Sequence, residues 1–184
     1  MTEEEIRAAW VTEPPRLVGR IKVADYDPAW PRLFEREADR IRAVLGTRVV
    51  RLEHVGSTSV PGLAAKPVID ILLVVPDSGD EPAYVPDLEA AGYVLVIRQP
   101  EWHQHRMFKG PDTDVNLHVY SPGCPEIERY LRFRERLRGH PDERARYQRV
   151  KRELAERDWT HVQEYADAKT EVVEEIIARG GPEA

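Results

Sequence analysis

Apolar residues follow two rhythms along this chain, and the change between them marks out its parts. Trp30, Leu33, Phe34, Ala38, Ile41, Val44 and Leu45 recur at intervals of three and four, which places their side chains on one face of an α-helix. Asp27 followed by Pro28 offers an N-cap and a proline at the first helical position, and Gly46 offers a stop, so this spacing predicts a helix between them. Ahead of it, Ile21–Val23 reads as a short strand. Residues 1–15, ending in Glu13-Pro14-Pro15, read as a short helix or arm, because paired prolines interrupt helix and sheet alike.

Beyond Gly46 the rhythm shortens. Val49–Val55 predicts a strand of mixed facing, and Val68–Val75 is an almost unbroken apolar run ended by Pro76, the pattern of a strand buried on both faces. A helix around Pro86–Ala91 ends at Gly92, Tyr93–Ile97 forms a strand, and His105–Phe108 pairs with Asp114–Tyr120 as a hairpin across Lys109-Gly110-Pro111-Asp112. From Glu126 the pattern is helical, with breaks at Gly139-His140-Pro141 and near Trp159 and an end at Gly180-Gly181-Pro182. The expected class is α+β: a mixed sheet followed by three helices, in a single domain over residues 16–180 behind the arm.

Bulk properties narrow the setting. A chain of 184 residues suffices for one domain with a real core. A formal net charge of -6 argues against a dedicated nucleic-acid binder. The single cysteine, Cys124, excludes an intramolecular disulfide and a thiolate metal cluster within one chain, as expected for a reducing cytoplasm. No apolar run approaches membrane-spanning length, and the acidic start Met1-Thr2-Glu3-Glu4-Glu5 is the opposite of a signal peptide, so a cytoplasmic protein with no membrane partner is expected.

The chemistry concentrates in Glu53-His54-Val55-Gly56-Ser57-Thr58-Ser59-Val60-Pro61-Gly62-Leu63-Ala64-Ala65-Lys66-Pro67-Val68-Ile69-Asp70-Ile71-Leu72. Two apolar strands are joined there by a loop of small residues, and the second strand carries one acid, a layout that offers backbone donors and a carboxylate to one phosphate chain. A Gly-Ser at a strand end, followed thirteen residues after the serine by an acid in an apolar run, resembles the nucleotidyltransferase superfamily. The wording from His54 to Ile71 resembles the GrpB family in particular. Asp25-Tyr26-Asp27-Pro28-Ala29-Trp30, Leu117-His118-Val119, Phe133 to Arg138, and the pairs Tyr147/Lys151 and Tyr165/Lys169 extend the resemblance over about residues 20–178. It implies a nucleotidyltransferase-like mixed β-sheet flanked by helices with a C-terminal helical segment, a relative of which is appended to dephospho-CoA kinase in some bacteria.

Gly56, Ser57, Thr58 and Ser59 form the expected phosphate cradle, since glycine permits close backbone approach and hydroxyls donate without net charge. Lys66 adds a point charge. An unpaired Asp70 in an apolar strand would cost several kcal/mol unless a cation or donors compensate it, and the resemblance makes it the first metal-ligand carboxylate. Leu72 departs from the superfamily pattern, because it stands where a second acid is expected. Asp114, Asn116 and His118 alternate with apolar residues and share one face; the resemblance makes His118 the third site residue. His54, at the mouth of the loop, is a further candidate ligand, whereas His103 and His105 read as surface or satisfied histidines. Tyr147, Lys151, Tyr165 and Lys169 are expected to close the helices over a nucleotide, and Arg132, Arg134, Arg136 and Arg138 read as a solvated helix face.

The reading that results is an enzyme binding a nucleoside triphosphate and a divalent metal, Mg or Mn, with imidazole favouring a transition metal. It transfers a nucleotidyl group to an unidentified acceptor, with any base expected near Asp114 or Glu53. Two other readings stand beside it: a non-catalytic nucleotide- or CoA-metabolite-binding module that assists a partner enzyme, and a metal-dependent hydrolase using the histidines.

Overall fold

The computed structural model describes residues 3–14 and 20–180. Part of the Pro14-Pro15 boundary and of the Gly181-Pro182 stop therefore lies outside the described residues. Helices are α1 (Glu3–Ala9), α2 (Trp30–Leu45), α3 (Val85–Ala90), α4 (Pro125–Gly139), α5 (Pro141–Ala155), α6 (Val162–Asp167) and α7 (Thr170–Arg179). Strands are β1 (Arg51–Val55), β2 (Ile69–Val74), β3 (Val94–Gln99), β4 (His105–Lys109) and β5 (Val115–Tyr120). They form one sheet in the order β1-β2-β5-β4-β3, parallel at β2/β5 and antiparallel elsewhere. This is the expected mixed sheet flanked by helices.

Strand periodicity decides what each face carries. Ile69, Ile71 and Leu73 of β2, with Val115, Leu117 and Val119 of β5, pack against Phe34, Ala38, Ile41 and Leu45 of α2 and Leu88 of α3. Each such side chain contributes about 1.5–3 kcal/mol on full burial, and Ala38, Ile41, Ile71 and Leu73 are at 0% exposure. On the opposite face α4 covers only one end, where Val55, Leu72, Val74 and Tyr120 meet Ile127 and Leu131. The rest of that face is left for a cavity.

Three local expectations change. The helix over Trp30–Leu45 begins after a turn and not at Pro28: Asp27 Oδ1 accepts from the Ala29 amide at 2.8 Å, and the proline of the first helical turn is Pro31. Ile21–Val23 makes no strand; Ile21 is buried against Leu154, Ala155 and Tyr165, and pairing is confined to a bridge between Ala24 and Ala65. The last of the three expected helices is two, because the chain turns at Ala168 and Lys169, whose amides bond back to Glu164 O at 3.0 Å and Ala166 O at 3.2 Å.

Candidate functional site

The uncovered sheet face floors a cavity of about 1040 Å³, large enough for a nucleotide-sized ligand. Its walls are the Gly56-Ser57 turn, helices α5 and α6 with Lys169, and the arm with α1. Register sets out the floor in rows. Asp70 pairs with Asn116 and Asn116 with Lys109; one row on, Leu72, His118, Met107 and Ile97 align; beyond them His105 pairs with Gln99.

Hydrogen bonds fix the orientation of the polar groups. Lys109 Nζ donates to Asn116 Oδ1 at 2.6 Å, so the Asn116 amide nitrogen faces Asp70 and donates to its Oδ1 at 3.0 Å. His118 Nε2 lies 3.7 Å from the same Oδ1, beyond hydrogen-bond length. Burial raises the Asp70 carboxyl, but His118 and the Asn116 amide outweigh it and hold the group below the ordinary carboxylate value. Next in line, His105 Nδ1 donates to Gln99 Oε1 at 2.7 Å. Burial, with neighbouring His118 and Arg106, pushes His105 down to about 2 and keeps it neutral. Its Nε2 is then an acceptor, so His118 Nδ1 is the donor across the 3.2 Å contact between the rings. In a neutral His118 this leaves the lone pair on Nε2, open to a metal ion on the cavity side; only the cation, protonated on both nitrogens, favours the charged Asp70 carboxylate directly.

The cradle is built on one glycine. Gly56 has φ +69°, and a Cβ there would lie 2.5 Å from Asp70 Oδ2, so the loop can reach over the carboxylate only without a side chain. Gly56 and Ser57 line the cavity. Thr58 and Ser59, expected to join them, do not: the Thr58 hydroxyl donates to Val68 O at 3.0 Å and the Ser59 hydroxyl to Gly56 O at 2.6 Å, so both hold the loop's own shape. His54 is also removed from the ligand set. Paired with Ile71, it lies on the core face, stacked on Phe34 at 4.9 Å with Nε2 3.0 Å from Thr58 Oγ1. Burial pushes it down to about 4.

Lysines gather at the Asp70 end. Lys66, Lys151 and Lys169 line the cavity, and among the described residues Lys66 and Lys169 form no ion pair. Burial lowers all three: Lys66 below its ordinary value, Lys169 to about 8 despite Asp70, and Lys151 to about 6 with repulsion from Lys169 and Arg152 added. Lys151 donates to Ala64 O and lies 4.7 Å from the Tyr147 ring centre; Lys169 lies 4.2 Å from that of Tyr165, which also lines the cavity. Tyr147 itself is buried edge-on against Phe133 at 5.3 Å and interacts with Ser57, a supporting position behind the wall.

Neither carboxylate expected to supply a base lines the cavity. Glu53 is tied to Arg51 at 3.1 Å and Arg134 at 2.9 Å, and Asp114 to Lys109 at 3.1 Å. Of the α4 arginines expected to form a solvated face, Arg132 is exposed but the other three are engaged: Arg134 donates to His54 O at 2.8 Å, Arg138 to Ser59 O at 2.8 Å, and Arg136 pairs with Glu143 at 2.7 Å. Arg134 and Arg138 strap the end of β1 and the loop to α4, and Arg136 ties α4 to α5. What the sequence reading missed is the Gln99-His105 extension and Trp102 beside it; the alternation His105, Met107, Lys109, opposite Asn116 and His118 in the hairpin, was the available signal.

The GrpB protein family profile matches residues 20–179. A UPF0157 protein of Halalkalibacterium halodurans is 58% identical over 178 residues, covering 97% of this chain and 91% of that protein. A dephospho-CoA kinase of Mycolicibacterium paratuberculosis is 30% identical over 175 residues; the match covers 81% of this chain and 43% of the kinase. The crystal structure of GrpB from Enterococcus faecalis superposes with a TM-score of 0.74 at 30% identity, over 86% of this chain and 98% of that one.

Proposed function

This chain belongs to the GrpB family, and from that premise we propose that its cavity binds a nucleoside triphosphate with a divalent metal ion and transfers a nucleotidyl group to an acceptor. One observation carries the reading: the Gly56-Ser57 turn, the Asp70 carboxylate and three lysines converge on one end of a nucleotide-sized cavity.

Asp70 and His118 Nε2 fit a single ion as one oxygen and one nitrogen ligand. No group of three or more ligating side chains occurs among the described residues, so phosphate oxygens and water must complete the coordination. When bound, the ion would neutralise charge on the phosphate being transferred. The chain's own groups do the rest. Ser57 and the loop amides bond phosphate oxygens, Lys66 and Lys169 balance their charge, Asn116 orients Asp70, and His105 fixes the His118 tautomer.

Leu72 supports a second reading, a non-catalytic binding module for a nucleotide or CoA metabolite. It sits fully buried beneath α4 where a second carboxylate is expected, so this strand supplies one acid where the usual two-metal arrangement uses two. The match to a stretch of a dephospho-CoA kinase points the same way. Calorimetric titration with ATP and the other triphosphates in Mn²⁺, together with an assay for released pyrophosphate, separates the two. Binding with turnover supports transfer, binding alone supports the module, and no binding of any triphosphate sinks both.

A further inference from the structure

The cavity is polarised along its floor, and its far end is aromatic. From the row of Asp70, Asn116 and Lys109 to the row of His105 and Gln99 is four strand residues, about 13 Å, and the lysines lie at the near end. At the far end Trp102 lines the cavity with Pro100 and remains 42% exposed, although its ring meets His105 edge-on at 5.4 Å. The turn that carries it is unusual. His103 and Gln104 have φ of 54° and 51°, two successive left-handed residues without glycine, a conformation side chains seldom tolerate. On the same sheet face Trp10 of the arm bridges to Ile97 and also lines the cavity.

We infer that Trp102 is the stacking platform for the base of the bound nucleotide, so that the phosphates lie at the lysine end and the nucleobase at the β3–β4 turn. The inference rests on the nucleotide reading and adds to it the position and the recognising residue of the base. The distance between the two ends suits a nucleoside triphosphate laid along the floor. An indole that keeps exposed surface while His103, His105 and Tyr120 meet it in T-shaped contacts, none of them stacked, suits stacking by any planar base, because every base has a π-face.

The test uses the full chain in Mn²⁺ with two probes, ATP and inorganic tripolyphosphate, titrated into wild type, Trp102→Ala and Trp102→Phe. Trp102→Ala is expected to weaken ATP roughly ten-fold, the scale of losing one base-aromatic stack, while leaving tripolyphosphate unchanged. Trp102→Phe is expected to retain most of the ATP affinity, which also shows that the turn folds without the indole. If ATP and tripolyphosphate weaken together, Trp102 acts through His105 on the phosphate end and the inference is overturned. Unchanged ATP affinity in Trp102→Ala overturns it as well, while tripolyphosphate binding to wild type leaves the phosphate site standing. Binding of neither probe to wild type ends both readings.

Discussion

Asp70 is held by neighbours with different work to do. The Asn116 amide satisfies one oxygen, His118 faces that same oxygen, and Gly56 leaves room over the other. Because the surroundings favour the charged carboxylate, Asp70→Asn should lose metal-dependent nucleotide binding and also about 1–2 kcal/mol of stability; titrations with and without Mn²⁺ beside thermal melts check both. His105 acts one step back. His105→Phe keeps an aromatic ring but removes the acceptor for His118 Nδ1, so Mn²⁺-supported affinity should drop about ten-fold. Nitrogen chemical shifts should show His118 passing from the Nδ1-H form to a mixture, a change that simple loss of packing would not produce. The shared face of Asn116 and His118 was legible in the sequence through strand alternation, and the proposed roles of Asp70 and His118 came from the resemblance to the GrpB family. His105 was not legible, because a histidine at the edge of a hairpin looks the same whether it faces water or another histidine, and only register tells which.

At the scale of elements, the loop from Val55 to Val68 is held from both sides. Its own hydroxyls close it from within, and from outside Arg138 of α4 donates to the loop carbonyl of Ser59 while Arg134 donates to that of His54 at the end of β1. Gly56→Ala should therefore cost about 1–3 kcal/mol, from left-handed φ and collision with Asp70, and should abolish triphosphate binding. Denaturant melts and calorimetry report the two losses separately. The helices across the cavity contribute a pH signature. Lys151 on α5, facing Tyr147, Ala64 O, Lys169 and Arg152, falls from its ordinary 10.5 to about 6. Between those values the unfolded chain holds more protons, so stability rises with pH, most clearly from about 6 to 9. In Lys151→Met the rise should shrink to the part due to Lys169 and Lys66, which urea midpoints across that range would reveal. Helical spacing put Lys151 on the inward side of its helix, where it is buried; for Lys169 it assumed one unbroken helix and could not show the turn at Ala168 that ends α6 and sets Lys169 over Tyr165.

At the scale of the molecule, a mixed sheet followed by helices was legible from periodicity and the sheet face that carries the cleft came from the family resemblance, while the lost strand at Ile21–Val23, the split of the last helix and the role of the arm were not legible. Nothing in Glu3–Ala9 signals a partner, yet Val11 N bonds to Val96 O at 2.9 Å and Trp10 bridges Ile97, which brings α1 over the cavity. Removing residues 1–12 should leave the domain folded while weakening triphosphate binding several-fold, with melting and titration on the same sample deciding. The same contact has a second consequence, in the life of the protein in solution. β3 is an edge strand, with β4 on one side only, and Val94 on it is half-exposed. The arm lies along that margin as a short selvedge. Without it the strand offers free amides and carbonyls to any passing chain, so the truncated protein should self-associate with rising concentration, visible as a shift in sedimentation.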